Sequence, residues 1–68
     1  STARIDLSDK YKVTGTSKVG NVNQFVVING QILTMGDALD GMTITQIEPD
    51  SVLLEKEGLK YKINYNQQ

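Results

Sequence analysis

Turn-forming residues punctuate this 68-residue chain at intervals of about 8–12 residues, a spacing typical of small all-β domains. The clearest of these signals is Asn29-Gly30, which separates the strand-like runs Phe25–Ile28 and Gln31–Leu33. A two-residue type I′ turn needs a positive φ at both central residues, and Asn followed by Gly adopts it readily. The sequence therefore predicts a hairpin here, within an all-β fold of five or six short antiparallel strands arranged as a small barrel or sandwich.

The first half of the chain contains two strand patterns and one interruption. Tyr11, Val13 and Gly15 alternate with polar residues, as expected of a half-buried strand. Phe25–Ile28 is apolar on both faces, which predicts a strand in the middle of a sheet. Gly20 and its neighbours interrupt the pattern between them, so that we expect a loop over residues 17–23.

The second half predicts three further strands and an irregular loop. Residues 34–41 are expected to form the loop, which contains one large apolar residue, Leu39. Met42–Ile47 is rich in β-branched residues, but its apolar parity slips between Ile44 and Ile47, which permits a β-bulge. Pro49 occupies a position that type I turns favour, and strands are predicted over residues 52–55 and 61–65.

A single domain is predicted over residues 10–65. Residues 1–9 are polar apart from Ile5 and Leu7 and predict a flexible N-terminal arm or linker end, and residues 66–68 predict a polar tail. Because the chain starts without methionine, we expect it to be part of a longer protein. Size scaling predicts a radius of gyration of about 11 Å. The expected core comprises Val13, Phe25, Val27, Ile32, Leu39, Met42, Ile44, Ile47, Val52, Leu54, Tyr61 and Ile63.

The composition excludes several kinds of chemistry. The chain has no cysteine and no histidine, so it supplies no disulfide, catalytic thiol, Cys/His zinc site or Ser-His-Asp triad. A domain this small also leaves little room for a walled cleft. No glycine-rich loop leads into a predicted helix, as phosphate-binding loops do. We therefore expect a non-catalytic domain without a cofactor or a metal site.

Two neighbouring carboxylates, Asp37 and Asp40, are the candidates for chemistry that remain. They lack the alternating acidic spacing and closing glutamate of a calcium-binding loop. No partner base accompanies them for acid–base catalysis. Asp in such loops commonly accepts a hydrogen bond from nearby backbone, and we expect both residues to be structural.

The charge distribution argues against electrostatic capture of nucleic acid. The net charge is −1, with four basic and two acidic residues over positions 1–23 and four acidic residues but no basic one over positions 24–50. Tyr11, Tyr61 and Tyr65 are flanked by lysines, but alternate side chains of a strand point to opposite faces. The tyrosines are therefore expected in the core or at its rim.

The order of motifs over residues 11–65 resembles a known family. The motifs are the strand and turn at residues 27–30, the Gly-Asp loop with Leu39 at residues 35–41, the run at residues 45–55 with Pro49-Asp50, and Gly58. Together they resemble the periplasmic homology-region domain of GspC and GspB in type II secretion and of PilP in type IV pili. The resemblance implies a periplasmic β-domain held at the inner membrane by an anchor outside this segment. It also implies a contact with the N-terminal domain of a secretin.

A small domain without a cleft most readily recognises a partner protein through an exposed strand edge. The resemblance points to the early strands as the contact. We therefore predict that the first strand binds the partner, with two lysines steering it toward an acidic surface. The two alternatives are a small nucleic-acid-binding barrel and a carbohydrate-binding module, the latter having few aromatic residues for sugar stacking. The predicted contact residues are Lys12, Val13, Thr14, Gly15, Thr16, Ser17, Lys18 and Val19.

Overall fold

The computed structural model describes residues 3–20 and 22–65. Over these ranges the chain is built from strands and turns, and it holds no helix with the length and apolar character that a bilayer crossing requires. The strands are β1 (Ile5–Asp6), β2 (Val13–Val19), β3 (Val22–Ile28), β4 (Gln31–Leu33), β5 (Ala38–Leu39), β6 (Met42–Ile47), β7 (Ser51–Lys56) and β8 (Leu59–Asn64).

The strands form two separate sheets. One has the order β1-β8-β7-β6-β5 and the other has the order β2-β3-β4. The all-β prediction is confirmed, although the sheets do not close into a barrel and the described residues form more than the expected five or six strands. The strand pairs are antiparallel except for β1 and β8, which run parallel and thereby correct the prediction of a purely antiparallel fold. The radius of gyration is 11.1 Å, in agreement with the predicted value.

The hairpin predicted at Asn29-Gly30 is confirmed. Asn29 has a φ of 49° and Gly30 a φ of 83°, and Ile28 pairs directly with Gln31. This hairpin makes β3 the middle strand of the three-stranded sheet, as its two apolar faces predicted.

The loop predicted over residues 17–23 is wrong. Strands β2 and β3 continue through most of it, with Val19 paired to Val22 and Gly20 at a φ of 63°. The pair Gly20-Asn21 is itself a two-residue hairpin signal, and it lies between two valines that favour strands. Asn21 lies outside the described residues.

The five-stranded sheet follows the predicted order of turns, with one addition. The expected bulge in β6 is confirmed by a register shift between Ile44 and Gln46. The turn at Pro49 closes with a 2.8 Å hydrogen bond from the Glu48 amide to the Ser51 carbonyl. The predicted loop over residues 34–41 instead includes the short strand β5, because Asp40-Gly41 forms a further tight hairpin.

The core lies between the two sheets, and four of the twelve predicted core residues are not among its buried side chains. Phe25 and Val27 are half-buried on the opposite face of β3, and Ile32 is 68% exposed. Because β3 is apolar on both faces, its sequence lacks the alternation that would identify the inner one. Tyr61 is half-buried against the core. The buried apolar residues are Val13, Val26, Ile28, Leu33, Leu39, Met42, Ile44, Ile47, Val52, Leu54 and Ile63.

The segment predicted as a flexible arm is paired with the sheet where the structure describes it. Ile5 lies opposite Tyr61 in the parallel pair, and the Leu7 amide donates a 2.8 Å hydrogen bond to the Lys62 carbonyl. The Arg4 guanidinium donates to the Tyr61 carbonyl at 3.1 Å, and the Asn64 amide donates to the Ser8 hydroxyl at 2.8 Å. Residues 1–2 of the arm and the predicted tail at residues 66–68 lie outside the described residues.

Candidate functional site

The residues predicted to contact a partner lie along one edge of the three-stranded sheet. Strand β2 has β3 on one side and no strand among the described residues on the other. Its seven residues exceed the two or three residues of the other edge strands, β1, β4 and β5. An open edge presents unpaired backbone N–H and C=O groups, which makes it a template for pairing with another chain. We call residues 12–19 the docking edge.

The side chains of the docking edge differ in exposure. Val13 is buried and anchors the start of the strand in the core. Gly15 and Ser17 are half-buried, whereas the remaining residues are exposed. The structure therefore brings the predicted residues together along one strand, but removes the Val13 side chain from the surface available to a partner. The exposed residues are Lys12, Thr14, Thr16, Lys18 and Val19.

Two irregularities divide the docking edge. The register shifts between Val13 and Gly15, and again between Ser17 and Lys18, so that the longest stretch of β2 paired without interruption runs from Gly15 to Ser17. Bulges increase the local twist of a strand and limit the length over which a flat partner can pair. The regular part of the docking edge is thus its short central stretch.

The entry to β2 is fixed by contacts with two loops. The Lys12 amide donates to the Asn29 side-chain oxygen at 3.1 Å, and the Asn29 amide donates to the Lys12 carbonyl at 3.1 Å. The Tyr11 hydroxyl donates to an Asp40 carboxylate oxygen at 2.6 Å. This hydrogen bond, followed by burial and the nearby negative charge, raises the pKa of Tyr11 above 10.0. The start of the docking edge is therefore held against the rest of the domain.

A largely apolar surface lies beside the docking edge, and it contains three residues that the sequence assigned to the core, Phe25, Val27 and Ile32. Gly15 pairs with Val27, Ser17 pairs with Phe25, and Val27 pairs in turn with Ile32 of β4. A Cβ placed on Gly15 would lie 3.7 Å from a Val27 methyl group, so both residues face the same side of the sheet. We call these five residues the outer face. Alternation alone does not identify it, because Val26 and Ile28 are equally apolar.

The sequence segment that carries the docking edge and the outer face is basic, although Asp40 reaches its start through the hydrogen bond with Tyr11. Residues 10–36 include Lys10, Lys12 and Lys18 and no acidic residue, whereas residues 37–57 include six acidic residues and one lysine. The ion pair found among the described residues, Lys60 with Glu55 at 3.0 Å, belongs to the other sheet. The three-stranded sheet thus presents its apolar surface without a negative side chain in its own sequence.

The carboxylates considered for chemistry have structural hydrogen bonds. Asp37 accepts a 2.9 Å hydrogen bond from the Thr34 amide, and Asp40 accepts the hydrogen bond from Tyr11. Within residues 3–20 and 22–65, no group of three acidic, histidine or cysteine side chains has a geometry suited to a metal ion. The segment of residues 34–41 connects β4 to β6 along the chain, and the Asp40 hydrogen bond ties it to Tyr11, just before β2.

Two tyrosines in the second half of the chain pack against the core, as predicted. Tyr61 and Tyr65 are both half-buried there. The Tyr65 hydroxyl donates to the Glu48 carbonyl, and burial, followed by the charges of Asp50 and Glu48, raises its pKa above 10.0. The Tyr65 ring, packed against the core and held there by this hydrogen bond, is engaged within the domain.

Comparison with known proteins gave one family match. A family model described as CdsD C-terminal matches residues 9–64, which include strands β2 to β8. Neither the curated proteins nor the solved structures gave a match.

Proposed function

The chain belongs to the CdsD C-terminal family, and we propose that it is a non-catalytic protein–protein interaction domain of an envelope-spanning secretion machine. CdsD is an inner-membrane ring protein of type III secretion. The match supports a secretion-system domain, the class that the sequence motifs predicted, and does not extend to GspC, GspB or PilP specifically. It also supports a periplasmic location, in a protein anchored at the inner membrane.

The open edge of β2 is the observation that carries the proposal. Every other described strand pairs on both sides or is three residues long or shorter, so β2 offers the longest row of available backbone groups. Recognition by strand addition needs such a row and no cleft, because main-chain hydrogen bonds supply the affinity. A domain of this size can provide that surface without enlarging its core.

The proposed partner is the N-terminal periplasmic domain of an outer-membrane secretin, bound along residues 12–19. Lys12 and Lys18 are exposed near the two ends of this stretch. Positive side chains at the rim of an interface mainly raise the association rate with a negative partner. The partner surface is therefore expected to be acidic.

Chemical-shift mapping of the isotope-labelled 68-residue chain with a secretin N-terminal domain tests the proposal. The expected result is a set of perturbed amides centred on Gly15 to Ser17. Lys18→Glu should slow association and weaken its dependence on salt. Lys56→Glu changes the charge by the same amount in the other sheet and serves as the matched control.

Two results would contradict different parts of the proposal. Shifts confined to residues 36–50 would move the contact to the acidic loop and reject the docking edge. The absence of any shift with secretin domains would reject the secretin as the partner.

A further inference from the structure

We propose that the segment that docks on β2 is an extended acidic strand carrying two apolar side chains two residues apart. This inference rests on the proposed function, because it specifies the chemistry of the ligand for the same edge. It follows from the size, polarity and charge of the side chains along and beside β2.

The first argument is the small size of the two central edge residues. Gly15 and Ser17 lie on the outer face of β2, opposite Val27 and Phe25 respectively. A bulky residue at either position would separate an added strand from these apolar side chains. Gly15 has no side chain, and a Cβ placed there would lie 3.7 Å from a Val27 methyl group. Val27 therefore lies directly beside the side-chain position that Gly15 leaves empty. The side chains of a neighbouring strand can therefore reach past β2 and contact β3.

The second argument is the spacing of the two small residues, Gly15 and Ser17. Side chains on one face of a strand recur every second residue, about 7 Å apart. An added strand therefore presents two alternate side chains beside Gly15 and Ser17. Their neighbours are half-buried Val27 and Phe25, with the exposed Ile32 behind Val27. Apolar partner side chains at this spacing would bury the outer face.

The third argument is charge. Lys12 and Lys18 are six residues apart, at most about 20 Å along a strand that is irregular between Val13 and Gly15, and they flank the stretch from Gly15 to Ser17. No acidic residue occurs between positions 10 and 36, although Asp40 lies near the Lys12 end of the stretch through its hydrogen bond with Tyr11. A docked segment of about seven residues would reach both lysines, and acidic residues near both of its ends would complement them.

The same charges disfavour a second copy of this chain as the occupant of the edge. If two β2 strands paired antiparallel about their centres, Lys12 of each would lie near Lys18 of the other. Like charges placed opposite one another destabilise a strand pair. The lysines therefore favour a different, acidic chain.

A designed peptide tests the inference independently of the secretin. The probe is the capped peptide Asp-Asp-Val-Thr-Val-Asp-Asp, titrated into the labelled 68-residue chain at low salt. We expect perturbed amides over residues 13–19 and perturbed methyl groups of Val27 and Ile32. A peptide with lysines in place of the aspartates should bind at least about tenfold more weakly, and so should one with serines in place of the valines.

Variants of the protein separate packing from charge. Gly15→Val should abolish peptide binding while the domain stays folded, because Gly15 has no positive φ and its Cβ position makes an ordinary van der Waals contact. The double variant Lys12→Glu, Lys18→Glu should reverse the preference toward the lysine peptide. Lys56→Glu should change neither the binding of the acidic peptide nor the preference for it over the lysine peptide. The thermal unfolding of each variant verifies that it is folded.

The outcomes distinguish the inference from the proposed function. Equal binding of the acidic and basic peptides, no binding of the acidic peptide at millimolar concentration, or unchanged binding by a folded Gly15→Val would overturn the inference. If a secretin domain still perturbed residues 12–19 of these variants, the proposed function would stand and the inference about the docking segment would fall. Peptide binding as expected, with no response to secretin domains, would support the inference and reject the secretin.

Discussion

Val26 and Val27 are adjacent residues of the same type in β3, and the structure places them on opposite faces. Val26 is fully buried between the sheets and pairs with Leu33, whereas Val27 is half-buried on the outer face and pairs with Ile32. Replacing each by alanine removes the same two methyl groups from the same strand. The pair of variants therefore measures which face of β3 belongs to the core.

The expected loss of stability differs severalfold between the two variants. Two buried methyl groups contribute roughly 1.6 kcal/mol at about 0.8 kcal/mol each. The cavity left at Val26, which is closed on all sides, raises the cost of Val26→Ala to about 2–3 kcal/mol. Val27→Ala removes groups that are already partly hydrated and should cost less than about 1 kcal/mol. A domain of this size has a free energy of unfolding of roughly 3–10 kcal/mol, so the first loss is a large fraction of the total.

Equilibrium unfolding in urea measures both variants, followed by circular dichroism and tyrosine fluorescence because the chain has no tryptophan. The urea midpoint should fall strongly for Val26→Ala and slightly for Val27→Ala, with the slope of the transition unchanged. In thermal unfolding, Val26→Ala should lower Tm by about 8–20 °C.

The comparison has a clear refuting result. If Val27→Ala destabilised the domain as much as Val26→Ala or more, the inner and outer faces of β3 would be reversed. The outer face would then be core, and the argument for a ligand that packs against Val27 would fail with it.

Three further predictions concern the backbone and the titrating groups. Gly30→Val places a β-branched residue at a φ of 83° and should cost about 1–3 kcal/mol in urea unfolding, whereas Gly15→Ala, at a position without a positive φ, should cost much less. The pKa of Asp6 is lowered below 3.8, chiefly by hydrogen bonds from Ser8. The contribution of Asp6 to stability is therefore present above pH 3.8 and is lost as the pH falls through the lowered pKa. An NMR titration that gave a pKa of 3.8 or higher would contradict this. The raised pKa of Tyr11 favours the neutral phenol in the folded state, so the contribution of Tyr11 to stability is present below pH 10.0 and is lost as the pH rises through the raised pKa. In spectrophotometric titration, Tyr11→Phe should lose this high-pH step. A Tyr11 hydroxyl that titrated at 10.0 would contradict the hydrogen bond to Asp40.

The start of the strand that carries the candidate site could be predicted from sequence, because Tyr11, Val13 and Gly15 alternate with polar residues. The outer face could not be predicted from the sequence. Phe25, Val27 and Ile32 are indistinguishable in type from the residues that fill the core, and a shift of one residue in parity exchanges the two sets. The docking edge also extends beyond the predicted strand, because the hairpin at Gly20 was interpreted as part of a loop.

Local sequence determined the features that depend on a few consecutive residues. Asn29-Gly30 specifies its hairpin through the positive φ that both residues adopt, and the slip in apolar parity after Ile44 is consistent with the bulge in β6. These features need no knowledge of the rest of the chain, because the conformational preference resides in the residues themselves.

Only the tertiary structure decided the choices that are nearly equivalent locally. It selected which apolar face of β3 packs against the five-stranded sheet, and it paired Ile5–Asp6 in parallel with β8, more than fifty residues away in sequence. Among the described residues it also left the outer side of β2 without a paired strand, while β8 received β1 on its outer side. Each choice depends on which distant surface is available for packing or hydrogen bonding, and burial of apolar area between the sheets decides it because that energy does not depend on sequence separation.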